Sequence, residues 1–179
     1  LNCNLINDVF EDKNGNLWIG TEGGGLNFYN RKTKKFTYYK NEPNNKNSIS
    51  ANNIKSVIND REGNIWVGIH DGGVNYFNPN HFPYQFNKID FPKASDTSLQ
   101  SYKVLTLFND VNGNIWIGTL TGGLLIYDTH RKKISQIHKD SRTIMSIVQT
   151  KNPDFLLIGG SNGSEKININ RKITNKIFF

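Results

Sequence analysis

Asp12-Lys13-Asn14-Gly15-Asn16-Leu17-Trp18-Ile19-Gly20-Thr21 is the stretch whose recurrence decides the fold. It returns as Asp60-Arg61-Glu62-Gly63-Asn64-Ile65-Trp66-Val67-Gly68-Ile69 and as Asp110-Val111-Asn112-Gly113-Asn114-Ile115-Trp116-Ile117-Gly118-Thr119. The three tryptophans stand 48 and 50 residues apart, always in the same slot. A weaker fourth copy, Asp154-Phe155-Leu156-Leu157-Ile158-Gly159, puts Leu157 in that slot. A second motif follows each Trp: Gly24-Gly25-Leu26, Gly72-Gly73-Val74 and Gly122-Gly123-Leu124, of which the fourth copy keeps Gly163. Self-similarity at this period marks a repeat architecture.

Each repeat reads as four short strands. The first is Ile6–Phe10, Ile54–Ile58, Val104–Phe108 or Ile144–Val148, an apolar run bounded by polar residues. A tight turn follows at Asp-x-x-Gly-Asn, where Gly supplies positive φ and Asp bonds the backbone just ahead of it. The Trp strand comes next, and the double glycine turns it into a third strand, Leu26–Tyr29, Val74–Phe77 or Leu124–Tyr127. The fourth is expected at Phe36–Tyr39, Tyr84–Phe86, Ile134–Ile137 and Ile177–Phe179. No segment carries an apolar helical period. Four antiparallel strands per repeat predict an all-β fold, a β-propeller of about four blades: 1–41, 42–90, 91–140 and a degenerate 141–179. Such a unit cannot bury its own faces, so blades pack on one another. Trp18, Trp66 and Trp116 are the expected blade-to-blade anchors. Asp12, Asp60 and Asp110, with Gly15, Gly63, Gly113, Gly24, Gly72 and Gly122, are the structural residues of the repeat.

Composition narrows the function. The chain has 179 residues, a net charge of +7, eleven Phe, seven Tyr and three Trp. That aromatic content excludes a disordered chain, and no apolar run reaches the length of a membrane helix. Cys3 is the only cysteine, so no internal disulfide can form. The chain begins at Leu1 and carries no signal-like segment, which reads as a piece of something longer.

The run Asp-x-x-Gly-Asn-[Leu/Ile]-Trp-[Ile/Val]-Gly followed by Gly-Gly-[Leu/Val] resembles the two-component regulator propeller repeat. The resemblance covers nearly the whole chain. It implies the periplasmic sensor region of a hybrid two-component system from a glycan-degrading bacterium. Such proteins carry a dozen or more repeats in two seven-bladed propellers, ahead of a membrane helix and a kinase core. Four repeats without kinase elements read as a non-catalytic fragment, with no direct membrane contact and no cofactor. The implied ligand is an oligosaccharide. The same run also resembles the repeat of propeller lyases that linearise streptogramins with a His/Glu pair and magnesium; here only His70 is placed to serve. A protein-interaction scaffold, dimerising through blade edges, is the third reading.

Blade topology sorts the loops into two ends. One end holds the Asp turns and the basic turns Arg31–Lys35, Arg131–Lys133 and Arg171–Lys176, which contain ten of the 22 lysines and arginines. They read either as a patch for an acidic polymer or as solubilised hairpin tips. No aromatic side chain is interleaved to stack a base, so nucleic acid is not expected. The other end holds Thr21-Glu22-Gly23, Ile69-His70-Asp71 and Thr119-Leu120-Thr121, with the long blade links Asn41–Asn53 and Ile89–Tyr102. Loops that vary between regular repeats are where such proteins place function. Glu22, His70, Asp71, Thr121, Asn53 and Tyr102 are therefore the expected ligand contacts. One histidine beside one carboxylate is too few for a zinc site. The Asp turn lacks the alternating carboxylates of a calcium loop, so no metal is expected. Resemblance of that turn to the Asp-box of sialidase-type propellers does not bring the arginine cluster those enzymes need.

Overall fold

The computed structural model describes residues 1–81, 83–91, 102–137 and 142–170, and the backbone of 174–177. Two compact units divide the chain, Leu1–Asp90 and Phe91–Phe179. Each contains two four-stranded antiparallel blades.

In the first unit, β1 (Ile6–Glu11), β2 (Leu17–Thr21), β3 (Gly25–Asn30) and β4 (Lys35–Tyr39) form one blade. β5 (Ile54–Asn59), β6 (Ile65–Ile69), β7 (Gly73–Phe77) and β8 (Asn87–Ile89) form the next. The second unit pairs β9 (Val104–Asn109), β10 (Ile115–Thr119), β11 (Leu124–Asp128) and β12 (Lys133–Gln136), then β13 (Ile144–Gln149), β14 (Phe155–Gly160), β15 (Gly163–Asn168) and β16 (Thr174–Ile177). Every sheet is a meander in chain order, and in every blade the first strand breaks register once, beside Asn7, Lys55, Leu105 and Met145.

The repeated Asp explains the repeated Trp. Asp110 Oδ1 accepts the backbone N–H groups of Asn112 (2.8 Å) and Asn114 (2.9 Å). Its Oδ2 accepts Asn114 Nδ2 (3.1 Å) and the indole Nε1 of Trp116 (2.7 Å). Asp12 does the same for Asn14, Asn16 and Trp18, and Asp60 holds Asn64 and Trp66. A buried indole must place its N–H on an acceptor. Gly15, Gly63 and Gly113 close these turns at φ between 78° and 84°, where an L side chain is strained.

Trp18 packs its blade against the next: its ring lies 5.3 Å from Phe77 and its cluster includes Ile54, Val57, Ile65 and Val67. Trp116 packs with Ile144, Ile147, Leu156, Ile158 and Ile167 of the following blade. Trp66 is buried and stacks on Tyr76 at 4.6 Å. The fourth blade keeps the register but not the chemistry. Leu157 pairs with Val148 as Trp116 pairs with Phe108, so it does occupy the Trp slot, though only half-buried.

Two strand expectations need correction. In the second blade the fourth strand is Asn87–Ile89, not Tyr84–Phe86. Tyr84 and Phe86 are instead turned into the core against Phe77, and the Phe86 N–H donates to the carbonyl of Asn47. Their alternating aromatics mimic a strand while serving as plugs. In the last blade the strand starts at Thr174, so Thr174–Lys176 is strand rather than basic turn. Residues 171–173, 178 and 179 lie outside the described residues, as do 138–141 and 92–101 of the second long link. The Asn41–Asn53 link is tied to the core by fully buried Ile49, whose carbonyl accepts Asn41 Nδ2 at 2.7 Å.

Candidate functional site

The end of the sheets opposite the Asp turns is built on a repeated backbone bond. The N–H of Glu22 donates to the carbonyl of Leu5, His70 to Asn53, Leu120 to Lys103 and Ser161 to Thr143. In each blade, the residue just past the second strand is thus tied to the residue just before the first. The bond uses no side chain, so this position can carry anything. It carries a carboxylate, an imidazole, an isobutyl group and a hydroxyl. Leu120, not Thr121, is therefore the third blade's counterpart of Glu22 and His70, and Thr121 corresponds to Asp71.

Room for the connector comes from the first glycine of each pair. A Cβ on Gly24 would stand 2.6 Å from Cys3 Cβ, one on Gly72 2.7 Å from Ile69 Cγ2, and one on Gly122 2.4 Å from Tyr102 Cδ1. All are closer than real Cβ atoms approach. The fourth blade's connector is one residue shorter and has only Gly163, at φ 89°.

In the first unit the structure brings Glu22, Asn53, His70 and Asp71 together. Glu22 and Asn53 form an isolated antiparallel bridge, and the Asn53 carbonyl takes the His70 N–H at 3.0 Å. Glu22 Oε2 pairs with Lys55 Nζ at 3.3 Å, and His70 Nδ1 faces Asp71 Oδ2 at 3.1 Å. Glu22 and Asp71 are exposed, whereas the Asn53 side-chain oxygen is buried without a hydrogen-bond partner among the described residues. Asn53 serves the frame through its backbone carbonyl, and Lys55 is a partner of Glu22 that the sequence does not announce. Lys55 stands beside the register break of β5, which turns it toward Glu22. A Lys at alternate spacing in a strand gives no such signal.

In the second unit Thr121 is half-buried beside Gly122. The Tyr102 ring stacks on Phe91 at 4.9 Å and covers Gly122, so its aromatic surface is engaged inside the protein. Thr143 Oγ1 donates to the Leu120 carbonyl, joining this unit's two blades at this end. Behind it, buried Glu165 pairs with Arg142.

At the other end, Arg31 pairs with Glu11 and Arg131 with Asp128. The backbone N–H of Arg131, then that of His130, hold the Asp128 carboxyl below its ordinary range. Its contribution to the turn is present above the usual Asp range and is lost as pH falls through the lowered value. Among the described residues no cluster of three or more His, Cys, Asp or Glu is arranged to hold a metal.

A comparison with curated protein sequences finds no match. Among solved structures, the extracellular domain of BT3049 from B. thetaiotaomicron, described as a hybrid two-component system, is 24% identical with a TM-score of 0.80. The match covers 98% of this chain and 24% of that one. The extracellular domain of BT4673 from the same organism is 24% identical at TM-score 0.81, over 98% and 22%. Virginiamycin B lyase from Staphylococcus aureus is 11% identical at TM-score 0.73, over 96% and 55%. The chain thus spans about a quarter of the first two and about half of the lyase. These likenesses show the β-propeller fold. A family model described as two component regulator propeller matches residues 1–23, 48–71 and 98–121, each stretch holding a first strand, an Asp clamp and its Trp. The chain carries the two-component regulator propeller repeat in three copies, one in each of its first three blades.

Proposed function

We propose that the chain is a non-catalytic, ligand-sensing part of an extracytoplasmic two-component sensor, reading an oligosaccharide in the periplasm and passing the signal to a kinase. The observation that carries this reading is the repeated backbone bond beneath Glu22, His70, Leu120 and Ser161. It fixes the position of four side chains without constraining what they are, as a variable recognition surface requires. The named extracellular domains of like fold support the location. In the first unit the contacts would be Glu22, Lys55, His70 and Asp71, paired groups that present donors and acceptors to sugar hydroxyls. Glu22 and Asp71 are each already opposite a basic group, which suits binding better than the acid and base of a hydrolase.

A thermal-shift screen against neutral and acidic oligosaccharides tests this. A ligand at 100 times its Kd adds about 2.7 kcal/mol, roughly 5–10 °C at this size. The expected result is a shift with one glycan class that disappears in His70→Ala/Asp71→Ala. A shift that survives this double substitution would overturn the site.

A further inference from the structure

The second blade departs from the others between its third and fourth strands. The first and third blades turn within Asn30–Lys35 and Asp128–Lys133, through a lysine at positive φ (Lys34, 60°; Lys132, 51°). In the second blade β7 ends at Phe77 and β8 begins only at Asn87. The connector is nevertheless held at both ends. Asn78 takes the N–H of Asn80 on Oδ1 (2.9 Å) and that of His81 on its carbonyl (3.2 Å). Tyr84 and Phe86 are planted 5.6 and 4.5 Å from Phe77.

With Tyr84 and Phe86 turned inward, Pro83, Gln85 and Asn87 face outward. Together with Asn78 and His81 they line an open cleft of about 290 Å³, at the lower edge of the size range of small-ligand sites. The His81 and Gln85 side chains make no hydrogen bond among the described residues, and Asn87 Nδ2 makes only a long one, 3.4 Å, to the Gln85 carbonyl. Among the described residues no lysine, arginine or carboxylate lines the cleft, so none of them neutralises a phosphate, sulfate or uronate. Side-chain amides each offer a donor and an acceptor, which matches adjacent hydroxyl groups that also do both.

The geometry points to a saccharide-binding cleft beside β8. Asn78, His81, Gln85 and Asn87 hydrogen-bond the hydroxyls of a neutral sugar ring, and Pro83 packs on its carbon face. This site lies at the opposite end of the sheet from His70 and does not depend on the site proposed there.

Two-dimensional NMR of the full chain tests it, with cellobiose, maltose and lactose as probes, glucose 6-phosphate and triglycine as comparators, and assigned Asn and Gln side-chain amides as reporters. The expected result is movement of the Asn78, Gln85 and Asn87 amides with a neutral disaccharide, and at least a tenfold loss of affinity in Gln85→Ala/Asn87→Ala. Both residues are exposed, so the variant keeps the wild-type spectrum elsewhere. Silence of these amides with all three disaccharides at tens of millimolar overturns the cleft. Equal movement with triglycine or glucose 6-phosphate overturns its ligand class. Movement confined to Glu22 and His70 that survives the double substitution overturns it too, while leaving the other site standing.

Discussion

At one end of the second blade, Asp60 grips Asn64 and the Trp66 indole through its carboxylate; at the other, the frame holds His70 by its backbone N–H on the Asn53 carbonyl, and its side chain meets only its neighbour Asp71. The same contrast runs through the other blades. Where the side chain makes the bonds, the repeat returns the same side chain: Asp12, Asp60 and Asp110. Where the backbone makes them, the repeat returns the same bond and changes the side chain: Glu22, His70, Leu120 and Ser161. A conserved-chemistry position and a variable position of the repeat are thus distinguished by which atoms are committed.

The sharpest way to break this comparison is at the anchor. Trp116→Ala empties a fully buried site and is expected to cost about 3–5 kcal/mol, whereas Leu157→Ala, half-buried in the same register slot, costs about 1–2. Chemical denaturation of both variants measures the gap, and equal losses would mean that the slot does not anchor through the indole.

The fourth blade sharpens the comparison from the other side. Thr150 stands where Asp110 would, and its turn has one more residue before Phe155. With no indole N–H to satisfy at Leu157, no carboxylate is there. Gln149 Nε2 instead donates to the carbonyls of Phe155 (2.8 Å), Pro153 (3.2 Å) and Asn152 (3.4 Å). Gln149→Ala is expected to cost about 1 kcal/mol, the net worth of one good bond and two poor ones. Denaturation midpoints at unchanged slope would check it.

The comparison also explains what the sequence made legible. Asp-x-x-Gly-Asn-x-Trp is visible because each of its bonds is written in a side chain, so the blades can be read off directly. The connector bond is silent in sequence, so the third loop reads as Thr121 where the backbone makes Leu120 the counterpart of His70. Lys55 was missed because a register break, not a pattern, brings it to Glu22. Tyr84–Phe86 looked like a strand because apolar alternation is the same whether a segment pairs in a sheet or plugs a core.

Asp60→Ala and His70→Ala, compared in one thermal and chemical unfolding series, test the central distinction most directly. Asp60→Ala strands the indole N–H of buried Trp66 and two groups of Asn64, and should cost about 2–4 kcal/mol. At this chain length that lowers Tm by roughly 5–15 °C. His70→Ala leaves its backbone bond intact and should stay within about 0.5 kcal/mol. Losses of equal size would contradict the division between side-chain clamps and backbone-held variable positions.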